Sequence, residues 1–209
     1  MRTGRKRRTI FHRRAGPPHS KTLERMNTFP LAFTVLAVEV VDERRFVEFW
    51  SGRYPRKNER LYMANIGKPL TPKRLMTLFK WKNGGPIAEH KRMSIRRNYI
   101  ESKPSPPPPQ NRDAVLRFIQ LPGGVIWRIF WLHCHLPEVF PIFDQHVYRA
   151  MHKLTAGRPA EPPTSNLGKA LAYVDEYRSF HASFELAKRK QLDEALWSYG
   201  KYLKGENAL

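Results

Sequence analysis

Residues 113–151 read DAVLRFIQLPGGVIWRIFWLHCHLPEVFPIFDQHVYRAM. Asp113 to Gln120 reads as a helix, Leu121 to Gly124 (LPGG) as a tight turn, and the segment beginning at Val125 as a second helix. VIWRIFWLHC is apolar on nearly every side, which predicts a helix central to a core. A glycine turn between two helices leaves backbone N–H groups free at the start of the second. Those amides, with the helix dipole, favour an anion. Further on, Pro141 opens a short extended piece that delivers Asp144 to the start of a helix running from His146 to Lys153. A carboxylate at an N-cap is expected to stay charged.

The elements on either side are also read as helical. Thr71-Pro72 has the form of an N-cap followed by a first-turn proline, with Leu75, Leu78 and Phe79 on one face. Asn83-Gly84-Gly85-Pro86 ends that helix. DERRFVEFW (42–50) has helical spacing of Phe46, Val47 and Trp50, whereas LAFTVLAVEVV (31–41) is ambiguous between a short strand and a helix. A helix is expected from Ile87 to Ile100, with Lys91, Arg92, Arg96, Arg97 and the nearby Lys103 forming a surface suited to phosphates. After the loop from Gly157 to Pro163, a long helix is predicted over Ser165 to Ala187. A last one spans Gln191 to Tyr202, with Leu192, Ala195, Leu196, Tyr199 and Leu203 on one side. No strand alternation is evident in the second half, so the fold class is all-α.

The 209 residues allow one substantial core and a small extra lobe. Lys and Arg total 38 against 18 Asp and Glu, a net charge of +20. That excess points to a polyanion as partner, with DNA or RNA ahead of an anionic membrane. The first 26 residues hold nine Lys or Arg and one acid, yet the remainder stays strongly basic without them. This tail reads as a basic arm on phosphates, an organellar transit peptide, or an extension upstream of a start at Met26. SKPSPPPPQ (102–110) lacks the backbone donors of a helix or sheet and reads as an extended connector. The expected organisation is therefore a disordered tail 1–26, an N-terminal helical lobe 27–101, the connector 102–110, and a C-terminal lobe 111–209.

A single cysteine, Cys134, excludes an intramolecular disulfide, a multi-thiolate zinc site and a four-cysteine iron–sulfur cluster. No apolar run approaches the roughly 20 residues that span a bilayer. No membrane partner, a monomer, and an intracellular, DNA-containing compartment are the expectations. His133 and His135 flank Cys134, but residues two apart on a helix point away from each other and chelate poorly. No metal site is expected.

The LPGG turn, the helix after it, and the segment PIFDQHVYR that carries Asp144 stand in an order and spacing that resemble the helix-hairpin-helix DNA glycosylase superfamily. The likeness covers residues 113–151. It implies a two-lobed glycosylase-like fold that binds DNA backbone at the hairpin, flips a nucleotide, and cleaves its N-glycosidic bond with help from an aspartate. Carried onto this sequence, Gly123, Gly124 and Val125 become the backbone-binding hairpin, with room for a monovalent cation there. Asp144 becomes the catalytic acid, and His146 and Arg149 follow it on the helix as DNA contacts, although His146 reads equally well as bonded to a neighbouring carbonyl. The hairpin is one residue shorter than the LPGVG type. The place where lyase-competent members carry a nucleophilic lysine falls near Ile126 or Trp127, which implies a monofunctional hydrolase. No iron–sulfur cluster is implied.

Other residues keep two readings. Tyr173, Tyr177, Phe180 and Phe184 recur on one face of a helix, either as a stripe that stacks a base or as a face packed into the core. His181 beside them either bonds a base edge or caps a surface. Lys82 lies near a glycine-rich turn that is a helix end or a DNA-backbone contact. Arg128 is expected to pair with an acid or to reach a phosphate. Base excision from DNA is thus the leading expectation; a non-catalytic, basic nucleic-acid-binding protein on the same scaffold is the alternative.

Overall fold

The structure is a computed structural model in which residues 42–206 are described. The basic tail and the ambiguous 31–41 segment lie outside the described residues. Among those described, every regular element is helical. The all-α expectation therefore holds.

Among the described residues, five of the helices begin at a residue whose side chain caps them. Helix α1 (Glu43–Ser51) starts at Asp42, whose carboxylate accepts the amides of Arg44 and Arg45 at 3.0 and 3.3 Å. A short α2 (Glu59–Met63) follows. Helix α3 (Pro72–Lys82) is capped by Thr71, with Pro72 in its first turn and Leu75, Leu78 and Phe79 buried, as the sequence predicts. Helix α4 (Glu89–Ile95) continues into a π-helical turn over Arg96–Glu101. Residues 103–108 then run without regular structure through the proline-rich segment. Helix α5 (Arg112–Ile119) is capped by Asn111, α6 (Val125–His135) follows the glycine turn, and α7 (Gln145–Ala156) is capped by Asp144.

The expected helix over 165–187 is a continuous helical run that passes from α8 (Asn166–Leu171) through a π-helical turn over Ala172–Tyr177 into α9 (Arg178–Ala182). It ends at Ala182, short of the Ala187 that the spacing suggested. The last helix, α10 (Arg189–Glu206), is the longest described. Leu192, Ala195, Leu196, Tyr199 and Leu203 are all buried along it.

Residues on both sides of the 102–110 connector belong to one compact unit, because α10 packs along α1 as well as α7. Phe46 meets the Tyr199 ring edge-on at 5.4 Å, and Trp50 lies 5.0 Å from the same ring. Where α10 crosses α7, Gly200 lets the backbones touch. A methyl group added there would sit 1.8 Å from the His146 carbonyl oxygen. Helix α6 lies at the centre with Ile129, Phe130, Trp131 and Leu132 almost fully enclosed.

Candidate functional site

A cavity of about 420 Å³ opens where the end of α3, the start of α7 and the N-terminal two thirds of α10 meet the segment before α2. Tyr54, Trp81 and Trp197 supply aromatic walls; Lys82, Asp144 and Lys190 supply charge. Asn58, also on the wall, has φ 64, a left-handed conformation rare for a residue with a side chain.

Asp144 reaches this cavity because it is the N-cap of α7. Its backbone is extended, and Oδ1 accepts the amides of His146 (2.8 Å) and Val147 (3.3 Å). That leaves Oδ2, which accepts from Lys82 Nζ at 3.1 Å. The Lys82 and Asp144 side chains are 11% and 20% exposed. Burial opposes ionisation of Asp144, but the Lys82 ammonium and the capping amide more than offset it, so its pKa lies below the ordinary carboxylate value. The group is a fixed anion in a partly dry, aromatic-walled space.

A second cation stands beside the first. Lys190 Nζ lies 2.7 Å from Glu59 Oε1 and 3.1 Å from Glu194 Oε1, and within 5.3 Å of the Tyr54, Tyr62 and Trp81 ring centres. Trp81 Nε1 donates to Glu59 Oε2 at 3.1 Å, which orients the indole. Below this group, Tyr62 Oη donates to His133 Nε2 and His133 Nδ1 donates to the Phe140 carbonyl, both at 2.8 Å. The carbonyl can only accept, so Nδ1 carries the proton of a neutral ring. Burial pushes the His133 pKa down to about 4.

Several residues singled out from sequence stand elsewhere than expected. Lys82 is not a backbone-facing lysine; it is the partner of Asp144. Arg149 is 1% exposed, donating to Glu161 Oε1 through Nε and Nη2 and to the Gly200 carbonyl through Nη1. It braces α7 against α10 and faces no phosphate. Tyr173 and Tyr177 are fully enclosed, Tyr173 donating to the Pro141 carbonyl and both rings packing on Phe143. Phe180 packs edge-on against Phe184. Tyr173, Tyr177 and Phe180 do not line the cavity, so their stripe is a core face and not a base pocket. His181 is buried and bonds Asp193 Oδ1 at 3.0 Å; Asp193, not His181, reaches the cavity wall. His146 is half-buried against Trp197, with burial holding its pKa below the usual imidazole value.

The glycine turn lies outside this cavity. Gly123 and Gly124 have φ 116 and 90, conformations open to glycine. Tyr99 Oη donates to the Gly123 carbonyl at 2.8 Å. Val125 is buried, and no side chain caps α6. Arg128 does neither thing expected of it: Nε and Nη2 donate to the Pro122 carbonyl at 3.0 and 2.6 Å, and the guanidinium lies over the Tyr99 ring. It pins the turn in place.

Cys134 is buried, and His135 rests on Trp131 with ring centres 3.9 Å apart. Among the described residues no group of three or more His, Cys, Asp or Glu is placed to hold a metal ion, and no helix is long and apolar enough to cross a membrane. Compared with protein-family models, curated proteins and solved structures, the chain matches none.

Sequence reasoning missed Tyr54, Glu59, Trp81, Lys190 and Trp197. They are scattered over the segment before α2, α2 itself, α3 and α10, and only Trp81 stood next to a signal, the Asn83-Gly84 helix end.

Proposed function

We propose that the protein binds duplex DNA and hydrolyses the N-glycosidic bond of a damaged or unusual base. The observation that carries this reading is Asp144, an ionised carboxylate on the wall of an aromatic-lined cavity and at the N-terminus of the second helix after the LPGG turn. The two-lobed glycosylase-like fold belongs to the same proposal.

In the reaction, a nucleotide leaves the stack and its base enters the cavity between Trp81, Trp197 and Tyr54. The bond between C1′ and the base nitrogen breaks and its electron pair leaves with the base, which takes up a proton. Positive charge grows on the sugar as this happens. Asp144 lies opposite that charge as a fixed anion, or orients the water that adds to C1′. Lys82 keeps the carboxylate ionised and aimed. The reaction needs no covalent enzyme intermediate, in keeping with Ile126 and Trp127 where a nucleophilic lysine would stand.

A non-catalytic DNA-binding protein is the second reading. The observation that favours it is that both oxygens of Asp144 already have partners. Single-turnover base release from duplexes carrying 8-oxoguanine, uracil or alkylated purines separates the two. Release of one of these bases supports the enzyme; tight, salt-sensitive binding with no release from any duplex supports the binder.

A further inference from the structure

We infer that the exposed basic face of α4 and its π-helical turn is a DNA-backbone contact surface, built as one unit with the glycine turn. The inference rests on the DNA-binding half of the proposed function.

Residues 89–103, EHKRMSIRRNYIESK, carry five Lys or Arg and two acids. Ile95 and Tyr99 are buried at 3% exposure and fix which side faces the core. Lys91, Arg92, Arg96 and Arg97 are exposed, and Met93 among them is 54% exposed. Arg92 pairs with Glu89 on the same helix. Among the described residues, Arg96 and Arg97 have no acidic partner, so their charge is available to an anion from outside. The switch to π-helical geometry begins at Arg96. Such turns are rare and occur often at functional positions.

Tyr99 joins this helix to the turn. Its Oη donates to the Gly123 carbonyl, its ring carries the Arg128 guanidinium at 4.7 Å, and a methyl group on Gly123 would lie 2.6 Å from that Oη. The fit admits only glycine at 123. The arginines of one helix and the uncapped start of α6 are therefore held in fixed relation, with Arg128 locking the turn through the Pro122 carbonyl. Cations held near uncapped amides suit the phosphates of a duplex backbone. The net charge of +20 attracts the same polyanion, so the array focuses an attraction that already exists.

The test is fluorescence anisotropy of a short labelled DNA duplex with the full chain, titrated from about 50 to 200 mM salt. Arg96→Glu with Arg97→Glu is compared with Arg44→Glu with Arg45→Glu, an equal charge change at exposed sites on α1. Unchanged far-ultraviolet circular dichroism checks folding of both. The expected result is that R96E/R97E weakens binding at least about tenfold and lowers the slope of log K against log salt by about two, with a smaller effect from R44E/R45E. Equal effects of the two pairs, no effect, or tighter binding of a matched RNA duplex by the wild type would overturn the inference. The base-release panel keeps this separate from the reaction: binding lost in R96E/R97E with no release from any duplex leaves the surface standing and removes the chemistry. Release with binding untouched by R96E/R97E does the reverse.

Discussion

Lys82 Nζ and Asp144 Oδ2 lie 3.1 Å apart, joining the last residue of α3 to the cap of α7. The contact lies on the cavity wall and sets the charge of its carboxylate. Both partners are mostly enclosed, so removing one leaves the other charge poorly solvated.

Lys82→Met therefore destabilises the fold by about 3 kcal/mol near neutral pH. In the wild type, Asp144 has a depressed pKa, so its contribution is present above the ordinary carboxylate range and is lost as pH falls through the folded value. In the variant that pKa rises. The stability gap between the two proteins is thus widest at about pH 7 and narrows as pH falls towards about pH 4 and below, from the variant's raised pKa to the wild type's depressed one. Urea unfolding at the two pH values measures it.

His133 predicts a separate loss at a higher pH. Its pKa in the folded chain is about 4, below the 6.5 of a free imidazole. The unfolded chain takes up a proton first, so stability falls as pH drops from about 6.5 to about 4, by up to about 3 kcal/mol. Tyr62→Phe removes the donor to Nε2 and costs a further ~1 kcal/mol. Thermal melts across this range, with His133→Gln as the variant that flattens the dependence, check the assignment.

Gly200→Ala should be far more damaging than its size suggests. The added carbon would meet the His146 carbonyl at 1.8 Å, and separating the helices would also lengthen the Arg149 bond to the Gly200 carbonyl. A loss of about 3 kcal/mol is expected. Gly205→Ala, on the same helix with open space around it, should be neutral or stabilising by up to about 1 kcal/mol. Denaturant midpoints of the two variants give the contrast.

Local chemistry was legible in the sequence, and long-range pairing was not. Thr71, Asp144 and the LPGG turn were readable because caps and glycine turns act within about one helical turn. The partner of Asp144 was not, because no short-range rule links Lys82 to an aspartate so far along the chain. Arg149 shows the same limit. An arginine shortly after a candidate catalytic residue reads as a ligand contact until Glu161 and Gly200 are seen around it. The Tyr173 and Tyr177 stripe was ambiguous in principle, since an aromatic face has one periodicity whether it packs on Phe143 or on a base. The π-helical turn inside the 166–182 helix carries no proline or glycine signal, and so could not be read in advance.

The central claim is that Asp144 does the chemistry, and Asp144→Asn tests it most directly. Asparagine keeps the capping acceptor for the His146 and Val147 amides while removing the negative charge. Single-turnover base release from the best duplex of the panel, measured beside DNA affinity, should show the rate falling by about 10²- to 10³-fold with affinity unchanged. Release by the variant at the wild-type rate would contradict the account.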